Sequence, residues 1–181
     1  LVSSLREQLD RLTALVRTLL EMSNLQSISR TDQIALAPLV EEILTDLTPL
    51  AQKNNISLQQ DCAELGMVGS DALIYRLVFN LVENGIKYNR PGGFVKLLLA
   101  GDEKDCLLTV SDNGIGIPER DMPRIFDRFY RVDKSHSKAS GGTGLGLSIV
   151  KHAVAYHHGT VTLDSREGEG TTFTLRLPLE A

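Results

Sequence analysis

Two paired sets of strand-sized segments constrain this chain more than any other feature. Phe94 to Ala100 and Leu107 to Ser111 flank the charged turn Gly101 to Asp105. Thr160 to Ser165 and Thr171 to Leu177 flank Arg166-Glu167-Gly168-Glu169-Gly170. Strands joined by such short turns pair antiparallel with their neighbours in sequence. A further alternating segment, Ile56 to Gln60, adds a strand. Helical segments are expected from Pro38 to about Lys53, with Pro49 bending or shortening the end, and from Ser70 or Asp71 to about Tyr88. A short helix should open at Pro118, and a last one should run from about Gly144 to His157. The expected architecture is α+β: a mixed, mostly antiparallel sheet with its helices on one face, a two-layer sandwich.

Residues 1 to about 28 read as one amphipathic helix. Leu5, Leu9, Leu12, Val16 and Leu19 follow alternating steps of four and three, while Leu15 and Leu20 widen the stripe. That width suits a helix bundle, although a helix folded back on its own domain has the same pattern. Ser27 to Asp32 is polar and reads as a linker. The chain starts at Leu1 and is expected to be a piece of a longer protein.

Composition removes several classes of function. With 181 residues and a net charge of −4, and with no long lysine or arginine run, the chain does not read as a nucleic-acid or membrane-surface binder. No apolar run approaches the roughly 20 residues that a bilayer span needs. Cys62 and Cys106 form no CxxC or Cys/His cluster and are expected as buried, reduced thiols of a cytosolic protein.

Three segments carry residue types suited to a nucleotide. Asn80, Asn84, Lys87 and Tyr88 recur at helical spacing and share a face, opposite the apolar Leu77, Val78, Leu81 and Val82. An amide oxygen is a hard ligand for Mg²⁺, a lysine a point charge for phosphate, and a tyrosine a flat face for a base. Asp112-Asn113-Gly114-Ile115-Gly116-Ile117-Pro118 follows a strand, with a carboxylate placed to accept from an exocyclic amine. Gly141-Gly142-Thr143-Gly144-Leu145-Gly146-Leu147-Ser148 runs into a helix, where backbone N–H groups make an anion site. It matches neither a Walker A loop nor a dinucleotide fingerprint. Alone, these segments also fit a solvated helix face, a capped turn and a flexible linker.

Taken together, Asn80–Tyr88, Asp112–Pro118, Phe126-Asp127-Arg128-Phe129-Tyr130 and Gly142–Leu147 resemble the N, G1, F and G2 boxes of sensor histidine kinases, in that family's order and spacing. The resemblance covers residues 37–181 and implies the Bergerat ATP-binding sandwich, shared with gyrase-type, mismatch-repair and heat-shock-chaperone ATPases. It implies that Asn84 holds an Mg²⁺ bridging the ATP phosphates, with Asn80 and Lys87 near those phosphates. Tyr88 would pack on adenine and Asp112 would read its amino group. Gly114, Gly116 and Ile117 would line the nucleotide, and Thr172 would make a water-linked adenine contact. Residues 119–141 would form a lid anchored by Phe126 and Phe129, with Arg128 or Arg131 reaching the γ-phosphate. Gly142, Thr143, Gly144, Leu145 and Gly146 would surround the phosphates.

Hydrolytic relatives carry glutamate at the position of Asn80. An amide cannot take a proton from water, so the resemblance implies a kinase. Glu83, one turn on, would orient a partner or the metal shell, or would be a plain surface carboxylate. Residues 1–30 resemble the second helix of the family's dimerisation and phosphotransfer bundle, with 31–36 as linker. The acceptor-histidine box is missing: His136 falls in the lid, and His152 and His157-His158 lie on or after the last helix. The adjacent pair is expected as helix-end residues favoured by the macrodipole. Gly85, inside the second ATP-domain helix, should cost about 1 kcal/mol of helix stability. The resemblance further implies a response-regulator receiver domain as partner and a homodimeric parent protein held in a membrane, with this piece cytoplasmic and touching neither membrane nor nucleic acid.

Overall fold

The computed structural model describes residues 29–132 and 144–180, preceded by Gln8, Leu9, Leu12, Thr13, Val16, Leu20 and Ser23. Those seven are helical and exposed. From there the chain runs β1 (Asp32–Ala35), α1 (Leu36–Lys53), β2 (Ser57–Cys62), β3 (Gly66–Gly69), α2 (Asp71–Lys87), β4 (Phe94–Gly101) and β5 (Asp105–Asp112). A 3-10 turn (Met122–Arg124), α3 (Gly146–Tyr156), β6 (Thr160–Arg166) and β7 (Gly170–Pro178) complete it.

The main sheet has five strands in the order β2-β4-β5-β7-β6, antiparallel except for the parallel pair β2–β4. Period-two alternation sorts its side chains into rows. Leu97, Val110, Phe173 and Leu163 sit opposite one another across four strands, and all face the helices. One row further along, the same face carries Val95, Asp112, Thr171 and Ser165. In this row only Val95 belongs to the hydrophobic core; Thr171 and Ser165 are buried polar residues beside the carboxylate. The three helices cover this face, giving the expected α+β two-layer sandwich. Leu73, Leu77, Leu81 and Val82 of α2 are fully buried against it, each contributing about 1.5–3 kcal/mol of burial.

Helix α2 starts where Ser70 accepts the Leu73 N–H on its hydroxyl at 3.4 Å. It ends before Arg90-Pro91-Gly92, where Gly92 has φ +85. Helix α1 continues through Pro49 to Lys53, so the proline does not shorten it.

Several expectations differ from the structure. The stretch 31–36, expected as linker, contains β1, which pairs antiparallel with an unanticipated β3. Each is only four residues long, too short for alternation to register, and each contributes one buried anchor, Ile34 and Met67. No helix opens at Pro118; the segment forms turns and the 3-10 turn instead. Both cysteines are free, but only Cys106 is buried, with its thiol pushed up to about 12 by desolvation. Cys62 is half-buried on the edge strand β2. Among the described residues, no helix is long and apolar enough to cross a membrane.

Candidate functional site

A cavity of about 1050 Å³ opens between α2, the segment after β5, the start of α3 and the β6–β7 turn. Asn80, Asn84, Lys87 and Tyr88 all line it from α2, as their shared helical face predicts. Their chemistry is not uniform. Lys87 is paired with Glu83 at 2.8 Å, which assigns Glu83 a partner within its own helix. Asn80 donates through Nδ2 to the Arg76 carbonyl at 2.7 Å. That bond turns Oδ1 toward Gly146, where a Cβ would lie only 2.8 Å from it. Asn84 makes no side-chain hydrogen bond with another described residue, so its amide oxygen is available to a ligand.

Asp112 lies at the floor. Its Oδ1 accepts the Gly114 N–H at 2.8 Å, and the Thr171 N–H also donates to the carboxylate. Burial in the core-facing row nevertheless wins over these two donors, and the carboxyl is pushed up to about 6. A partly desolvated acceptor of this kind suits a neutral donor such as an aromatic amine.

The turn after β5 is held from both sides. Ile115 N–H donates to the Tyr88 carbonyl at 3.0 Å, and Ile117 N–H to Ser165 Oγ at 2.9 Å. Gly168 N–H donates to the Ile115 carbonyl at 2.7 Å. Arg90 bridges the two flanks, donating through Nη2 to the carbonyls of Gly114 and Gly168. The glycines of this turn also meet the protein's own backbone closely. A Cβ on Gly114 would lie 2.3 Å from the Tyr88 carbonyl, and one on Gly116, at φ +69, would lie 1.9 Å from the Arg166 carbonyl. Their missing side chains make room for the protein's own backbone. Gly116 and Ile117 still line the cavity, whereas Gly114 is buried beneath it.

Two other expected positions shift. Thr172 points to the opposite face of β7, and the buried Thr171 lines the cavity in its place. Thr171 Oγ1 lies 2.9 Å from Ser165 Oγ, which itself donates to the Gly170 carbonyl. The parity of Phe173, Leu175 and Leu177 carries that signal, since Thr171 shares their face. Leu145 is fully buried, and Leu147 is the leucine that lines the cavity. Ser165 and Arg90, which hold the turn, have no local sequence signature.

Of the expected lid, residues 119–132 are described, while Gly142, Thr143 and His136 lie outside the described residues. Phe126 packs edge-on against Phe173, with ring centroids 6.2 Å apart, and anchors the segment as expected. Phe129 does not: the residue is 52% exposed, and it holds the segment through its backbone, N–H to the Gly144 carbonyl at 2.9 Å. Both residues have positive φ, +64 and +74. Tyr130 donates to Asp121, and the Arg124 guanidinium sits 4.4 Å over its ring. Arg131 lines the cavity; Arg128 is exposed and does not.

His157 departs from the helix-end account. It is 5% exposed, with Nδ1 2.7 Å from the Ala153 carbonyl and Nε2 accepting the Ser70 N–H at 2.9 Å. That pattern fixes the neutral tautomer protonated on Nδ1, and burial lowers its pKa, so a charged interaction with the helix dipole is not its role. Gly69 accommodates it, because a Cβ there would lie 2.8 Å from the ring.

Comparison with known proteins agrees with this geometry. Residues 69–181 match the family described as histidine kinase-, DNA gyrase B-, and HSP90-like ATPase. Sensor histidine kinase RppB of Synechocystis is 37% identical over 174 residues, 93% of this chain and 38% of the relative. Sensor-like histidine kinase SenX3 of Mycolicibacterium smegmatis is 39% identical over 173 residues, 93% of this chain and 45% of the relative. The chain thus spans less than half the length of these curated relatives. Among solved structures, the mycobacterial sensor histidine kinase MprB superimposes with a TM-score of 0.71 at 26% identity, covering 82% of this chain and 97% of that one. The catalytic domain of histidine kinase ThkA gives 0.72 at 25% identity, covering 84% and 97%. With a matching family model, these relatives and this cavity, the chain belongs to the histidine kinase-, DNA gyrase B-, and HSP90-like ATPase family, and its ATP-binding domain is of the sensor histidine kinase type.

Proposed function

We propose that this chain is the ATP-binding catalytic part of a sensor histidine kinase. It transfers the γ-phosphoryl of Mg²⁺·ATP to a histidine outside these 181 residues. The histidine nitrogen attacks the γ-phosphorus, the bond to the β,γ-bridging oxygen breaks, and ADP leaves. The observation that carries the reading is the presence in one cleft of a desolvated acceptor, Asp112, and an amide, Asn84, that bonds no other described side chain.

Asp112 accepts the adenine amino group, Tyr88 packs on the ring, and the phosphates extend toward Asn80, Asn84 and the first turn of α3. Asn84 fits a hard cation held mainly by phosphate oxygens and water. Among the described residues, no group of three or more His, Cys, Asp or Glu makes a protein-only metal cage. The ion would neutralise charge on the transferring phosphoryl group. Gly144 and Gly146, with Gly142 and Thr143 ahead of them, place N–H groups around the phosphates. Arg131 approaches the γ-phosphate. Asn80 supports a kinase over a hydrolase, since it has no carboxylate to take a proton from water.

Leu9, Leu12, Val16 and Leu20 are 47–62% exposed along one helical stripe, which supports their packing in a homodimeric bundle of the longer protein. That protein is a membrane sensor that passes phosphate to an aspartate of a receiver domain.

Calorimetric titration with a non-hydrolysable Mg²⁺·ATP analogue tests the site. Asn84→Ala and Asp112→Asn should each weaken binding at least about tenfold, the loss of one charge-assisted contact. The Asn84 effect should vanish with EDTA present, and the Asp112 effect should persist. Unchanged affinity in both variants refutes the assignment.

A further inference from the structure

Arg30 and Asp32 each grip the end of a different helix of the cleft. Asp32 Oδ2 accepts the N–H of Asp71, the first residue of α2, at 3.0 Å. Arg30 Nη1 donates to the carbonyl of Tyr156, the last residue of α3, at 2.6 Å and lies 2.7 Å from His158 Nε2. Its guanidinium also covers the Tyr156 ring, 5.1 Å from the centroid. The charges are matched to the helices: a carboxylate at an N-terminus and a cation at a C-terminus both complement the macrodipole. Two residues of chain reach no further than about 7 Å, so the two grips cannot move independently. His157 joins the same two helix ends from inside, through the Ser70 N–H and the Ala153 carbonyl.

Those helices are the walls of the cleft. Asn80 and Asn84 project from α2, and Gly146 and Leu147 open α3. The geometry points to Arg30 and Asp32 as positioning residues: a two-point clamp that sets α2 against α3. Neither side chain lines the cavity, so each acts through the helix it holds. The functional consequence rests on the reading that nucleotide binds in this cleft.

Amide hydrogen exchange by NMR, paired with calorimetric titration of Mg²⁺·ADP, tests the clamp on the whole chain. Arg30→Gln should speed exchange of the Asp71 amide at least threefold, although Arg30 does not touch it. The amides of Leu97 and Val110 in the central strands should hold their rates. The same variant should weaken Mg²⁺·ADP about threefold, Asp32→Ala likewise, and the two together about tenfold, within the range of helix-terminus charges. Arg30→Lys, which keeps a cation as well as a donor at Tyr156, should recover most of the loss, and Asp32→Asn, which keeps an acceptor for Asp71 without the charge, should recover part of it. An unchanged Asp71 rate, or equal acceleration of Leu97 and Val110, overturns the clamp. Altered Asp71 exchange with unchanged Mg²⁺·ADP affinity overturns the positioning role. If the unsubstituted chain binds no Mg²⁺·ADP, the function reading fails, and the Asp71 rate still decides the clamp.

Discussion

Asp112→Asn should gain stability relative to the unsubstituted, nucleotide-free protein as pH rises through about 6, while weakening nucleotide binding. Asp112 sits in the row Val95–Asp112–Thr171–Ser165 on the core face of the sheet, and its carboxyl is raised from 3.8 to about 6 chiefly by desolvation. The sign follows from linkage. A folded-state value above the unfolded one means that the folded chain holds the proton more tightly. The stabilisation is therefore fully present below about pH 3.8 and is lost as pH rises through about 6. At about 1.4 kcal/mol per unit, the ionised carboxylate costs the fold about 3 kcal/mol at pH 8 relative to pH 3.5. Asparagine removes that titration. Its NH₂ group, facing an N–H from Gly114 or Thr171, introduces a constant penalty of about 1–3 kcal/mol. A constant term cancels when the difference in unfolding free energy, variant minus unsubstituted, is compared between the two pH values. Urea denaturation at pH 3.5 and pH 8 should show that difference rising by about 3 kcal/mol, and all other titrations cancel with it. A difference that stays flat with pH would refute the desolvation argument, whatever the variant does to binding.

The remaining perturbations address single contacts. His157→Phe should cost about 1–3 kcal/mol by stranding the buried Ser70 N–H, as read by urea denaturation at pH 7.5. Because burial lowers the His157 pKa below 6.5, its stabilisation is present above that value and declines as pH falls; a variant whose stability between pH 7 and 5 parallels the unsubstituted chain would contradict this. Gly85→Ala should not yield the helix-propensity gain of about 1 kcal/mol, because its Cβ would lie 3.0 Å from Val95 Cγ2, an overpacking cost of about 1–3 kcal/mol. Adding Val95→Ala should turn the Gly85→Ala effect favourable in a double-mutant cycle. Gly116→Ala should destabilise by about 3 kcal/mol or more, combining φ +69 with a Cβ 1.9 Å from the Arg166 carbonyl; a thermal midpoint within about 2 °C of the parent would count against it.

Much of this architecture was legible because it is local. The hairpins β4–β5 and β6–β7 announce themselves by alternation and charged turns, and the α2 stripe by its spacing. Parity along β7 was equally legible, yet the family pattern favoured Thr172 where the apolar phase of Phe173 and Leu175 selects Thr171. The remainder depends on partners far away in the chain. Four-residue strands such as β1 and β3 exist only because they pair with each other across an intervening helix and strand. His157 looks like a surface helix end until Ser70, 87 residues earlier, supplies a buried N–H. Gly85 reads as a weak helix position until Val95 arrives against it from the adjoining strand.

The row that carries Asp112 also marks where the hydrophobic interior stops short. On one side lies the packed layer of Val95, Leu97 and Val110, and on the other Asp112, Thr171 and Phe173 border the cavity. A purine seated there would complete the interior as a side chain does, making ligand and polypeptide a single cooperative unit. With a purine so seated, the melting temperature would rise with nucleotide concentration, and the unfolding heat capacity would include the apolar surface of a molecule the chain does not encode.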